Sequence, residues 1–195
     1  MSEIEPVEYR CLAAEHRVTP ESWDAFVRDV LAELWLAAYR AALDMPTEIL
    51  EVTRGELTYL FDAQSCLPES EHEDRTIAVW GRSTTPDRRR DRTRLAGFLP
   101  NPSAWSCAGR DRGHLVAHAA GGDLDLNLFP QSATLNRGRT TAGRRWRAME
   151  RYAALNPGTP LFVRAIYDGS TWVPKALDHG LLRDGQLWCE RFENR

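Results

Sequence analysis

The period of the hydrophobic residues changes near residue 50, and this change limits the folds that the chain can adopt. In residues 19–44 the apolar side chains recur three or four positions apart, at Trp23, Phe26, Val27, Val30, Leu31 and Leu34. That spacing places them on one face of an α-helix. Thr19 can cap this helix and Pro20 suits its first turn. Met45-Pro46 is expected to end it.

Shorter segments after residue 50 are rich in β-branched and aromatic residues, a composition that favours β-strands. Five segments have this composition: 51–63, 75–83, 161–167, 171–177 and 186–192. The third and fourth are separated by Asp168-Gly169-Ser170. Because Asp-Gly between apolar runs is a strong turn signal, we expect these two strands to form a hairpin.

Two further segments complete the predicted order of elements. Residues 141–156 have helical spacing, and residues 83–109, rich in Pro, Gly and Arg, predict a long surface loop. A helix, strands, a loop, a second helix and more strands predict an α+β fold with an antiparallel sheet. We expect residues 50–195 to form one domain, preceded by an acidic helical segment over residues 1–49.

Charge is distributed unevenly along the chain. Residues 1–75 contain 17 acidic and 6 basic side chains, whereas residues 86–151 contain 13 arginines and 6 acidic side chains. Arginine binds phosphate through two parallel hydrogen bonds. The basic middle of the chain therefore favours a polyanionic partner, although a solvated arginine-rich surface would have the same composition. The acidic first part can cover the basic region as a brake, dock a partner, or form an ordinary helical cap.

Cysteine usage and hydropathy indicate a cytoplasmic protein without a membrane span. Cysteines occupy positions 11, 66, 107 and 189, and none of them forms a CxxC motif. Reduced, partly buried thiols are therefore expected. The chain has no run of 18 apolar residues and no apolar leader after Met1. Delivery by a route that needs no signal peptide is compatible with this pattern.

The segment RDRGHLVAH, residues 110–118, carries two histidines four positions apart. On a helix, His114 and His118 would share one face, as in zinc sites of the HExxH type. However, no glutamate follows His114, no third ligand is evident, and Gly113 is a poor helix former. A zinc hydrolase is therefore the weaker alternative, and His118 is assigned no role.

Four motifs follow one another in order from residue 111 to residue 150. These are Asp111-Arg112-Gly113-His114, Asn127-Leu128-Phe129-Pro130-Gln131, Leu135-Asn136-Arg137-Gly138, and Trp146 followed by Glu150. Together they resemble the DNA/RNA non-specific endonucleases, the ββα-metal (His-Me finger) nucleases with a DRGH motif, which include the Serratia nuclease and endonuclease G types. The compact bacterial branch is the most similar. Each motif alone is more often structural, but their joint order is highly specific.

The resemblance implies a role for each motif residue in phosphodiester hydrolysis. His114 would be the general base, because histidine takes up protons near neutral pH. Asn136 would be the one direct protein ligand of Mg²⁺, with Mn²⁺ as a substitute, since amide oxygen suits a hard cation. Glu150 would hold a metal-bound water and pass a proton to the leaving group. Arg112 would neutralise phosphate charge, and Asn127 would orient the site through hydrogen bonds.

One spacing departs from the family pattern. Asn136 and Glu150 are 14 positions apart, which is about 21 Å on one continuous helix and too far for a shared ion. Gly138, Gly143 and two threonines lie between them. We therefore expect a loop after Asn136 and a new helix near Thr141. An additional catalytic arginine is expected upstream, among Arg88, Arg89, Arg90, Arg92 and Arg94.

These observations predict a Mg²⁺-dependent endonuclease that hydrolyses DNA and/or RNA. The resemblance implies a ββα-metal nuclease domain, and a toxin or defence effector restrained by an inhibitor or immunity protein is compatible with it. Relatives often form homodimers. The alternative function is a catalytically degenerate nucleic-acid-binding module. Retention of His114, Asn136 and Glu150 argues against it, because a decayed site need not keep all three.

Overall fold

The structure is a computed structural model that describes residues 4–43, 45–67, 73–86 and 109–195. It is a mixed α+β fold, as predicted. The helices are α1 (Pro6–Glu15), α2 (Trp23–Phe26), α3 (Glu33–Ala42), α4 (Ala133–Asn136) and α5 (Thr141–Leu155), with a π-helical segment (Val27–Ala32) between α2 and α3. The strands are β1 (Ile49–Arg54), β2 (Leu57–Asp62), β3 (Arg75–Arg82), β4 (Arg110–His114), β5 (Leu128–Ser132), β6 (Pro160–Ile166), β7 (Ala176–Arg183) and β8 (Gln186–Glu193).

Six strands form one antiparallel sheet in the order β1-β2-β3-β6-β7-β8. Strand β3 pairs with β6, with Arg82 opposite Pro160, although 77 residues separate these two positions. The chain between them leaves the large sheet, and its described part forms a separate β4-β5 hairpin followed by α4 and α5. The motif residues therefore lie in an insertion between β3 and β6, and these two paired strands of the large sheet fix both of its ends.

The N-terminal helices cover one face of the large sheet. Phe162 of β6 lies on this face, with its ring centroid 5.1 Å from that of Tyr9, 5.2 Å from that of Trp35 and 6.1 Å from that of Trp23. All four aromatic side chains are buried. Gly180 on the neighbouring strand provides the space, because a Cβ atom there would lie 2.4 Å from the Phe162 ring.

Helix α5 covers the opposite face. Side chains alternate between the two faces along a strand, so His179 points away from the side on which Gly180 packs against Phe162. The Trp146 ring centroid lies 5.0 Å from that of His179 and 5.2 Å from that of Phe192. The sheet thus lies between two helical layers. The buried side of α5 packs against the sheet and fixes the position of this helix.

A buried polar network joins the first helix to the last strands. Tyr9 donates a hydrogen bond to Asp178 at 2.8 Å and accepts one from the Trp35 indole N–H at 2.9 Å. Arg191 donates to both oxygens of Asp178, and Arg164 lies 3.7 Å from the same carboxylate.

The division of the chain at residue 50 into two parts remains a prediction. In the structure, the helices before β1 share one hydrophobic core with the sheet.

Two strand predictions were wrong in detail. Residues 51–63 form part of a hairpin, β1 and β2, which turns at Gly55 with φ of 59°. The turn takes up only two residues, Gly55 and Glu56, between two segments of strand-like composition, so the sequence looked like one strand. Residues 171–175 do not belong to a strand, because β7 begins at Ala176. The predicted hairpin of β6 and β7 does form, with a longer loop than Asp168-Gly169-Ser170 alone.

The two predicted long helices are present, and the structure contains a further helix, α1, that was not predicted. The helix expected over 19–44 begins at Trp23 and ends at Ala42. Its apolar stripe is buried against the core, where Trp23, Val27 and Leu31 are fully covered. Helix α1 was missed, since Tyr9 and Ala13 are its only buried side chains and leave little apolar periodicity.

Free thiols are present at Cys11, Cys66 and Cys189, as predicted, and Cys107 lies outside the described residues. Cys189 is buried and the other two are exposed. Within residues 4–43, 45–67, 73–86 and 109–195, no helix has the length and apolar character needed to cross a membrane.

Candidate active site

The β4-β5 hairpin positions the DRGH motif. Arg112 lies opposite Pro130 and His114 lies opposite Leu128. Because side chains alternate along a strand, Arg112 and His114 share one face, while Asp111 and Gly113 share the other. Arg112 and His114 are both half-buried. The base and the phosphate-binding arginine expected from the sequence are therefore presented side by side.

Gly113 is required by a close approach between the two strands. A Cβ atom at this position would lie 2.4 Å from both Cβ and Oε1 of Gln131. Non-bonded carbon atoms do not approach that closely, so any larger residue would force β4 and β5 apart. Gly113 thus permits the close approach of β4 to β5.

Asn127 fixes the chain immediately after His114. Its Oδ1 accepts a hydrogen bond from the Val116 N–H at 2.9 Å, and its Nδ2 donates to the carbonyl oxygens of Val116 and Asp123, each at 2.8 Å. The side chain is fully buried. The buried Asn127 side chain therefore bonds to the backbone on both sides of the turn and holds the segment after His114 in place.

Asp111 connects the DRGH strand to the LNRG motif. It accepts a hydrogen bond from Nδ2 of Asn136 at 3.0 Å, and it accepts two from Arg137, at 2.8 and 2.5 Å. Burial alone would raise the pKa of the Asp111 carboxyl, but the hydrogen bonds from Arg137 and Asn136 outweigh it and lower that pKa. An ionised carboxylate can only accept hydrogen bonds. Asn136 must therefore direct its NH₂ group at Asp111 and its Oδ1 elsewhere.

The chain between Asn136 and Glu150 contains the predicted loop. Helix α4 ends at Asn136, Gly138 has φ of 67°, and α5 begins at Thr141. Thr140 caps α5 by accepting a hydrogen bond from the Gly143 N–H at 3.0 Å. Gly143 packs so closely on α4 that a Cβ there would lie 2.7 Å from the Thr134 carbonyl oxygen. The two helices are therefore in direct contact rather than continuous.

Glu150 lies in a groove between α5 and the segment that follows His114. The groove has a volume of about 560 Å³, and its walls include Glu150, Ala117 and Ala119. Burial raises the pKa of the Glu150 carboxyl to about 7, against the opposing effect of the positive charge on Arg147. At neutral pH this carboxyl can therefore both hold and release a proton.

The structure separates the two histidines of RDRGHLVAH. His114 ends strand β4, whereas His118 lies in a 3-10 turn (His118–Ala120) with Nδ1 3.3 Å from the Gly122 carbonyl oxygen. They do not share a helical face, so the helical zinc clamp is not formed. Across the described parts of the chain, no three His, Cys, Asp or Glu side chains are grouped to hold a metal. The five upstream arginines, Arg88 to Arg94, lie outside the described residues.

Comparison with known proteins finds similarity among solved structures alone. No protein-family model matches the sequence, and no curated protein matches it. Among solved structures, the chain is similar to the Sda1 nuclease, determined with a bound zinc ion, with a TM-score of 0.44 and 14% identity over 76% of this chain and 84% of that chain. The function proposed below therefore depends on the geometry of residues 110–155.

The contact between Asp111 and Asn136 was not predicted, because the two residues are 25 positions apart and only the fold brings them together. On the role that the resemblance implies for Asn136, we expect Asp111→Asn to raise the Mg²⁺ concentration for half-maximal nucleic-acid cleavage by about 10- to 100-fold, the usual cost of losing a residue that orients a metal ligand. The measurement is a Mg²⁺ titration of cleavage rate. Asp184→Asn, which removes a carboxylate from an exposed turn, is the matched control. An unchanged Mg²⁺ requirement in Asp111→Asn would contradict the orienting role.

Proposed function

We propose that the protein is a metal-dependent endonuclease that hydrolyses phosphodiester bonds in DNA and/or RNA, with a ββα-metal site formed by β4, β5 and the helices that follow. The observation that carries the proposal is the 3.0 Å hydrogen bond from Asn136 to Asp111. It connects the strand that ends in His114 to the amide expected to bind the cation. Two motifs 25 positions apart thereby become parts of one site.

The residues present fit a hard divalent cation. With its NH₂ group held by Asp111, Asn136 directs a neutral amide oxygen away from the strand, and amide oxygen is a ligand that Mg²⁺ accepts. Glu150 adds a carboxylate that would bind the cation through water. When bound, Mg²⁺ or Mn²⁺ would stabilise the negative charge that develops on the phosphate.

The remaining groups can perform the proton transfers that hydrolysis requires. His114 takes a proton from the attacking water as the new bond between oxygen and phosphorus forms. A bridging P–O bond then breaks, and the leaving oxygen takes a proton, for which the Glu150 carboxyl is the candidate donor because its pKa is about 7. Arg112, on the same face as His114, neutralises phosphate charge. Asn127 keeps the chain after His114 in place.

The function is tested with supercoiled plasmid DNA and a structured RNA, each incubated with the protein in Mg²⁺ or in EDTA. Cleavage of at least one polymer in Mg²⁺, and of neither in EDTA, is expected. A protein that binds duplex DNA tightly in EDTA and cleaves nothing in Mg²⁺ or Mn²⁺ would instead be the degenerate binding module. Equal cleavage in Mg²⁺ and EDTA would exclude the metal dependence.

A further inference from the structure

The outer face of α5 carries a row of three arginines. Arg144, Arg147 and Arg151 recur at three- and four-residue spacing, so they lie along one side of the helix. All three are exposed, and all three line the same groove as Glu150. The core side of the helix, formed by Trp146, Met149 and Ala153, is buried on the sheet. The three arginines therefore project from a helix whose opposite side is fixed against the sheet.

No described acidic side chain lies within salt-bridge distance of these three arginines, although the charge of Arg147 acts on Glu150 from farther away. Arg145, on another side of the same helix, pairs with Glu190 at 3.4 Å. By contrast, within the described parts of the chain, neither Arg144, Arg147 nor Arg151 forms a salt bridge. Arg144 donates a hydrogen bond only to the Thr141 hydroxyl, at 3.0 Å. Three positive charges thus remain available on one wall of the groove.

The opposite wall and the position of the groove suit an extended chain molecule. Ala117 and Ala119 form that wall, and their methyl groups leave room for a backbone to approach. Both residues follow His114 within five positions. The Arg147 side chain also contacts the loop after Asn136. A Cβ atom on Gly138 of this loop would lie 2.8 Å from Arg147 Cδ. The groove therefore follows α5 and includes one residue of the candidate site, Glu150.

The length of the row matches a run of phosphates. Arg144 and Arg151 are seven residues apart, which is about 10 Å along a helix axis. Successive phosphates of one strand lie farther apart than the rise of about 3.4 Å per nucleotide along a duplex axis, so the row, with the reach of its side chains, can contact about two to three phosphates. Planar guanidinium groups bind phosphate oxygens in pairs.

We infer that the groove between α5 and residues 117–119 is a binding track for the phosphodiester backbone of a nucleic-acid strand, with Arg144, Arg147 and Arg151 as its phosphate contacts. The inference rests on the proposed function, because it identifies how the substrate of the same site is held. Contacts of this kind carry no base recognition. Binding along the track is therefore independent of sequence and strongly dependent on salt.

The test measures binding separately from cleavage. In full-length protein carrying His114→Ala, the affinity for a short labelled duplex is measured by fluorescence anisotropy over a series of salt concentrations in EDTA. Each phosphate contact contributes about 0.9 to the slope of log affinity against log salt. The triple variant Arg144→Ala, Arg147→Ala, Arg151→Ala is expected to lower that slope by about 2 to 3. Circular dichroism checks the fold, which should persist because alanine favours helix.

A second triple variant, Arg28→Ala, Arg145→Ala, Arg183→Ala, removes the same charge from arginines that pair with Glu51, Glu190 and Asp184. Its slope is expected to stay close to that of the parent. Equal slope reductions in the two triple variants, or none in the first, would overturn the inference. So would competition by poly-glutamate of matched charge as strong as that of the duplex, since the groove would then fit an acidic protein.

The two proposals can fail independently. If the wild-type protein cleaves nucleic acid in Mg²⁺ but the first triple variant keeps the full salt slope, the track is wrong and the nuclease stands. If the slope falls as expected and the wild-type protein cleaves nothing, the track is supported and the nuclease is wrong.

Discussion

Replacement of His114 by alanine is expected to lower the rate of nucleic-acid cleavage by about 10²- to 10⁴-fold, the range that a positioned general base contributes. The loss should appear in the rate at saturating substrate, because removal of the imidazole leaves Arg112 and the α5 arginines in place to bind phosphate. Single-turnover cleavage of plasmid DNA in Mg²⁺ measures the rate, and anisotropy with the same substrate in EDTA measures the affinity.

His118→Ala is the matched control for this experiment. It removes the same side chain four positions later, from a 3-10 turn instead of the end of β4. Cleavage by His118→Ala should remain within a few-fold of the wild-type rate. Comparable losses in both variants would mean that the local fold is being damaged, and equal rates in wild type and His114→Ala would exclude His114 as the base.

Replacement of His179 by phenylalanine is expected to protect the protein against acid. His179 is buried on β7 beneath α5, 5.0 Å from the Trp146 ring centroid, and in the described structure its Nδ1 has no hydrogen-bond partner. Burial lowers the pKa of this imidazole to about 3. The folded state therefore keeps His179 neutral over a pH range in which the unfolded chain protonates it.

The sign of the effect follows from this difference in proton uptake. Below the ordinary histidine pKa of about 6.5, the unfolded state binds the proton more tightly, so the free energy of unfolding falls as the pH is lowered toward 3. At about 1.4 kcal/mol per pH unit, the loss at pH 5 is about 2 kcal/mol. Phenylalanine has a similar shape and does not titrate, so His179→Phe should not show that loss.

Urea denaturation of wild type and His179→Phe at pH 7 and pH 5 checks this expectation, and the difference between the two proteins is the relevant quantity. Glu150 has a raised pKa and acts in the opposite direction, since it takes up a proton in the folded state as the pH falls from 7. It does so in both proteins, so its effect cancels in the difference. His16→Gln, at an exposed site, serves as the control. A difference between wild type and His179→Phe that is the same at both pH values would contradict the buried-histidine explanation.

The spacing of apolar residues predicted the helices and strands whose buried residues recur at regular intervals. Helix α5 was predicted to within one residue, because Trp146, Met149 and Ala153 face the sheet and Thr140 caps the first turn. Strand β3 was also predicted to within one residue, because its β-branched and aromatic residues form one short run that is buried along almost its whole length. The prediction failed at Gly55, because the turn of the β1-β2 hairpin takes up only Gly55 and Glu56 between two segments of strand-like composition. Helix α1 was missed, since it is held by Tyr9 and its buried hydrogen bonds rather than by an apolar stripe.

The spacing between Asn136 and Glu150 shows what a physical argument from sequence can decide. A continuous helix would have placed the two side chains too far apart, so a loop was required, and Gly138 and Thr140 had the residue types for it. The structure contains that loop and starts a new helix at Thr141. The roles of Asn136 and Glu150 in binding a cation stay a prediction.

The sequence by itself determined which residue types are available and in what order: an imidazole at 114, amides at 127 and 136, a carboxylate at 150 and arginines between them. Residue type and order are local properties, and they limit the chemistry without fixing any distance. Only the tertiary structure decided that Asp111 accepts a hydrogen bond from Asn136, that Asn127 is buried with its amide bonded to the backbone, and that Arg145 is paired while Arg144, Arg147 and Arg151 line a groove. Each of these depends on strand register or on helix rotation against the sheet, which contacts between distant segments of the chain determine.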